Sequence, residues 1–153
     1  MTFALRLAFG LPVDADIEHI QFDDGSSARL FDVYAMTNLL LCSAVDEGAA
    51  KSRSTGTMRR SCSRHLRATL EILQPTLVIS QGASLDKTLL ATLGVTGIVT
   101  PNVATCDLDG NRFVWVSLRH PSRGNWQSLK CAYLHEVVVP AIKEGRKLAL
   151  GVL

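Results

Sequence analysis

The pattern that most constrains this chain is an alternation of helix-periodic and strand-like apolar segments. From Met58 the apolar residues Met58, Cys62, Leu66, Leu70 and Leu73 recur at helical spacing, with arginines on the other side, until Gln74-Pro75 ends the run. Directly after it stands Thr76-Leu-Val-Ile-Ser80, short and nearly all apolar, the texture of a strand covered on both faces. Phe31-Asp-Val-Tyr-Ala-Met-Thr-Asn-Leu-Leu-Leu41 has the same texture and is expected to be a strand as well. Leu85 to Leu93 reads as a short helix ended by Gly94. Asp109-Gly110 is a hairpin signal between Ala104-Thr-Cys-Asp-Leu108 and Arg112-Phe-Val-Trp-Val-Ser-Leu118, and the second run leads into His120-Pro-Ser-Arg-Gly124. A last helix follows Asn125, kinked or split by Pro140. Strands alternating with helices predict an α/β fold around a small, mainly parallel sheet, whose ligands sit beyond the carboxyl ends of the strands. That rule singles out Thr37-Asn38 with the following loop, Gln81-Gly82, and His120-Pro121-Ser122.

Composition bounds what such a fold does. The 153 residues fit a single domain, and 47% hydrophobic with 20% charged residues is the balance of a chain that buries a core. No window approaches the roughly 18 uninterrupted apolar residues of a membrane helix, and Met1–Gly10, interrupted by Arg6, is too short for a secretion signal. A cytoplasmic protein with no membrane partner is expected, as a monomer. Cys42, Cys62, Cys106 and Cys131 are too few and too scattered for a disulfide scaffold, which leaves thiols or metal ligands. The net charge of +2 conceals a polarity: residues 1–50 carry eight acids against Arg6 and Arg29. Then Lys51, Arg53, Arg59, Arg60, Arg64 and Arg67 follow with no acid among them. Such a run is the footprint expected beside a phosphate backbone, and a solvated helix face is the plain alternative. Phosphate-loop and dinucleotide fingerprints are absent, since Leu93-Gly-Val-Thr-Gly97 lacks both the third glycine and a Lys-Ser/Thr pair.

In order along the chain stand Val33-Tyr-Ala-Met-Thr-Asn-Leu-Leu-Leu-Cys42, Cys62, Leu73-Gln-Pro-Thr-Leu-Val-Ile-Ser-Gln-Gly82 and His120-Pro-Ser122. That succession, over roughly residues 30–145, resembles the uracil-DNA glycosylase superfamily, and within it the iron-sulfur branch. The resemblance implies a three-layer α/β/α domain that flips uracil out of DNA into a pocket at the strand ends. Asn38 matches the family's base-reading asparagine, with Ser122 beside the base, and His120 matches the histidine that faces uracil O2. An amide accepts from uracil N3–H while donating to O4, a pairing that cytosine reverses. A donor at O2 stabilises the charge that appears there as the glycosidic bond breaks. DNA is the implied partner, with Arg123 bracing the groove beside Lys51, Arg53, Arg59, Arg60 and Arg64.

Two family features have no counterpart here. The glycine- and proline-rich motif that positions the attacking water, with the aromatic that stacks on uracil, would precede the Thr-Asn strand; Phe9 and Phe22 are weak substitutes for that aromatic. The strand bearing that motif would lie between the strands matching residues 30–41 and 76–80, a slot left empty unless Ile17-Glu-His-Ile-Gln-Phe22 fills it. A [4Fe-4S] cluster needs four thiolates, of which only Cys42 and Cys62 match. The expectation is therefore an N-terminally incomplete domain, 1–153, with no cofactor in this chain; a cluster belongs only to a longer form. The rival readings are an inactive DNA-binding remnant of that family and a small α/β interaction domain. Cys62 fits the apolar stripe of its helix, Ser122 fits a helix cap, and Trp126 fits core or loop packing.

Overall fold

A computed structural model describes residues 2–16, 18–38, 55–82, 87–120, 126 and 128–152. The elements in chain order are α1 (Thr2–Ala8), β1 (His19–Gln21), β2 (Ser27–Arg29), α2 (Gly56–Leu73), β3 (Leu77–Gln81) and α3 (Lys87–Thr92). They are followed by β4 (Val95–Thr100), β5 (Val103–Leu108), β6 (Asn111–Leu118), a π-helical turn at Leu134–Val138 and α4 (Val139–Val152).

The chain has α/β character, but its main sheet is mixed. Its order is β3-β6-β5-β4, with β3 and β6 parallel and the other two pairs antiparallel. The expectation of a mainly parallel sheet is thereby corrected. Its error lies at residues 95–118, where β4, β5 and β6 form a meander joined by tight turns and no helix intervenes to carry the chain back. Asp109-Gly110 makes the expected turn, both residues having positive φ (53° and 90°).

β6 explains why the sheet is stable. Phe113 to Leu118 are all buried, so the strand is covered on both faces and reads as a continuous apolar run. Val114, Val116 and Leu118 join Val103, Leu77 and Ile79 in one cluster with Trp126, Leu134, Val138, Ile142 and residues of α1. Phe113 and Trp115 point the other way, with Ala104, Cys106, Leu108 and Val78, against Leu66 and Leu70 of α2, Leu90 of α3 and Leu93. Burying each such large side chain contributes on the order of 1.5–3 kcal/mol.

α2 forms as its periodicity predicts. Thr55 caps it by accepting the Met58 N–H at 3.2 Å, and Gln74 ends it in the left-handed conformation before Pro75. Cys62 and Leu70 are its buried residues, and Arg67 ties it to the β5–β6 turn through Asp109 at 2.6 Å while also binding Glu71 at 2.8 Å. At the other end of the chain, the Val139 N–H reaches Leu134 O, five residues back. The extra residue of that turn sits immediately before Pro140, which has no N–H to give, so the expected irregularity takes the form of a π turn.

Residues 31–38 depart from expectation and form no strand, with Phe31 60% and Met36 69% exposed; 39–41 lie outside the described residues. An apolar run without period 2 or period 3.6 carries no geometry of its own, and here only Leu30 just before it is fully buried, packed with Leu5 and Ile20. His19–Gln21 does not flank β3; it pairs with Ser27–Arg29 in a separate two-stranded hairpin. The Val114 N–H donates to Thr76 O and the Gly82 N–H to Leu118 O, so even-numbered residues of β3 bond β6. Leu77, Ile79 and Gln81 turn their backbone groups to the other edge, where no strand stands among the described residues.

Candidate functional site

The parallel pair β3–β6 brings two of the three predicted places together. Parallel strands end on the same side of a sheet. Gly82 directly follows β3 and His120 lies two residues beyond β6, and they meet there: a Cβ built on Gly82 would stand 3.2 Å from His120 Cδ2 and 3.3 Å from His120 Cβ. Gly82 has φ +99°, a conformation natural to glycine, and its N–H extends the ladder to Leu118 O at 2.8 Å. His120 is an exposed residue, and its imidazole stands close against the Gly82 backbone.

The backbone leading to His120 is held by two aromatic side chains. The Arg119 N–H donates to Tyr133 Oη at 3.1 Å, and Trp126 Nε1–H donates to Arg119 O at 2.9 Å. The Arg119 guanidinium lies over the Tyr133 ring, 4.9 Å from its centroid. Trp126 is fully buried, as its packing reading anticipated. Beneath these groups, Ser80 Oγ accepts from Trp115 Nε1–H at 2.9 Å and donates to Val116 O at 3.4 Å, so the buried indole is satisfied.

Asn38 is exposed and belongs to the non-strand stretch 34–38. The expectation that it ends a strand is corrected, and the parallel-strand reason for its meeting His120 goes with it. Ser122, Arg123, Lys51, Arg53 and Cys42 lie outside the described residues. Arg59, Arg60 and Arg64 are exposed on α2, and none of them meets a carboxylate among the described residues. Arg60 donates to Thr57 Oγ1 at 3.2 Å. Cys62 is a buried free thiol.

Phe9 stands near the amino end of β3, away from His120. It lines an open hollow of about 230 Å³ with Ala8, Thr76, Leu77, Arg146, Ala149 and Leu150. Thr76 and Leu77 mark the amino end of β3, and at about 3.3 Å per residue a five-residue strand separates that hollow from Gly82 and His120 by roughly 16 Å.

Sequence reasoning found Gly82 and His120 through the strand-end rule and Trp126 as loop packing. It missed Tyr133, whose only sequence signal is an amphipathic ring at the start of the last helical segment. No helix among the described residues is long and apolar enough to cross a membrane. No family model, no curated protein and no solved structure matches the chain.

Proposed function

We propose that this chain is a uracil-DNA glycosylase-like repair domain, which hydrolyses the N-glycosidic bond of uracil or a related damaged base flipped out of DNA. The observation that carries the reading is the meeting of His120 with Gly82 at the shared carboxyl end of the one parallel strand pair among the described residues. An imidazole at the carboxyl end of a strand is suited to donate a hydrogen bond to uracil O2 as charge gathers there. In this reading Asn38 reads the N3–H and O4 edge, Ser122 lies beside the base, and Arg123 with the α2 arginines holds the backbone. A three-layer α/β/α arrangement fits the two clusters, one joining the sheet to α1 and α4 and the other to α2 and α3.

Excision of uracil from a labelled oligonucleotide tests the reading. In a chain extended at its N-terminus to restore the water-positioning motif, uracil should be released, and His120→Ala should lower the rate by roughly a hundredfold or more while DNA affinity stays within about twofold. Unchanged excision by His120→Ala in that extended chain, or none by the extended chain itself, would reject it.

A second reading, DNA binding without excision, is favoured by Arg59, Arg60 and Arg64. They cluster in the first half of α2, where the helix dipole is already positive and no acid stands in the first turn. That arrangement repels itself unless an anion is near, and phosphate recognition needs no catalytic group. Retained affinity without excision is its signature.

A further inference from the structure

We infer that Tyr133 and Trp126, with Gly82, are positioning residues that fix the orientation of His120; as a role in catalysis this rests on the glycosylase reading above. The inference comes from how two consecutive peptide groups are held. The peptide joining Leu118 to Arg119 is bonded at both ends: its carbonyl accepts the Gly82 N–H at 2.8 Å and its N–H donates to Tyr133 Oη at 3.1 Å. The next peptide, whose nitrogen belongs to His120, has its carbonyl held by Trp126 Nε1–H at 2.9 Å. Fixing these two successive peptide planes sets the φ and ψ of Arg119, which lies between them, and so places the Cα of His120 at the end of the second plane.

The residues so held are exposed ones. Arg119 and His120 both face solvent, whereas Trp126 is fully buried and Tyr133 half-buried, with the Arg119 guanidinium lying over its ring. Two aromatic side chains thus direct their polar atoms at the backbone of a surface strand end. On the remaining side stands Gly82, where any Cβ would press within 3.2 Å of the imidazole. Backbone clamp and glycine floor together set where the His120 side chain starts and limit where its ring can lie, and misplacing a catalytic group by about 1 Å lowers rates by as much as a hundredfold.

Tyr133→Phe and Trp126→Phe each remove one hydrogen bond and keep an aromatic ring, and Gly82→Ala intrudes on His120 directly. Two readouts are needed: histidine ring signals and relaxation of this chain by NMR, and steady-state uracil excision by the chain extended with the water-positioning motif. His120 is assigned by the loss of its signals in His120→Gln, and His19, His65 and His135 serve as internal references. Both Phe variants should shift and broaden the His120 ring signals with the references unmoved, and should lower kcat about tenfold with KM for DNA changed less than about twofold. His120 signals unchanged in both Phe variants while Tm falls would overturn the inference, since the aromatics would then only support the fold. Displaced His120 signals with an unaltered kcat would overturn the catalytic role. If the chain extended with the water-positioning motif excises no uracil yet the His120 signals respond as described, the positioning stands and the glycosylase reading falls.

Discussion

Cys106 shows at the level of one side chain how the sheet is buried. It stands on β5 against Phe113, Trp115, Leu70 and Leu93, 2% exposed, and burial pushes its thiol from the ordinary 9.0 up to about 12. A thiolate there would lose its hydration with no partner to replace it. In the unfolded chain the same thiol ionises near its ordinary value. Between that value and about 12 the folded state therefore holds a proton that the unfolded state has released. Stability from this group is complete below the lower value and falls as pH rises through the window, by at most about 1.4 kcal/mol per pH unit. The check is urea unfolding of the parent and Cys106→Ala at about pH 8 and about pH 10. The parent should lose about 1 kcal/mol more than the variant between the two; an equal loss would mean that the thiol ionises freely in the folded protein.

Elements here are fixed by close approach as much as by propensity. Gly145 of α4 lies on β6 so tightly that an added Cβ would be 2.4 Å from Val116 Cγ2, whereas a Cβ at Gly151 meets nothing within 4 Å. Replacing a helical glycine by alanine gains up to about 1 kcal/mol in helix propensity, and overpacking a core costs about 1–3 kcal/mol. Gly145→Ala should therefore lower Tm and Gly151→Ala should leave it unchanged or raise it slightly, as a thermal melt of each variant will show. Propensity cannot reveal this difference, because both glycines look alike in sequence. The same limit governed the other elements. α2 was legible because its stripe recurs with a helical period and is bounded by Thr55 and Pro75, and β5–β6 because Asp109-Gly110 announces the turn. β4 went unread: Val-Thr-Gly-Ile-Val-Thr at 95–100 carries a glycine, and Ile98 and Val99 stay exposed, so no buried face marks it. Residues 31–38 were misread for the converse reason, since apolar composition without periodicity does not distinguish a strand from exposed coil. The site divided the same way: a strand-end rule finds Gly82 and His120, but a hydroxyl bonding a backbone group 14 residues earlier leaves no pattern to read.

For the whole molecule the question is whether its charge is arranged for a polyanion. A net charge of +2 is too small to matter by itself. The distribution decides, since residues 1–50 carry eight acids and the next stretch six bases with no acid. Of those bases Arg67 is already engaged: Asp109 and Glu71 hold it and raise its pKa, at a surface where such pairs contribute little. Its role is to fasten α2 to the β5–β6 turn, and it should not count as a phosphate contact. Of the six, Arg59, Arg60 and Arg64 meet no carboxylate among the described residues, so it is these three that a phosphate backbone is expected to engage. Each phosphate neutralised releases condensed counterions, which makes log affinity fall with log salt by about 0.9 per contact. Arg59→Ala with Arg60→Ala should therefore weaken binding to any duplex and flatten the salt slope by about 1.8, with no change of sequence preference. Arg67→Ala should leave the slope unchanged and lower Tm only slightly. Fluorescence anisotropy with a labelled duplex across a salt series distinguishes the two. If the double variant keeps the parent slope, α2 is a solvated helix face and DNA must be held elsewhere.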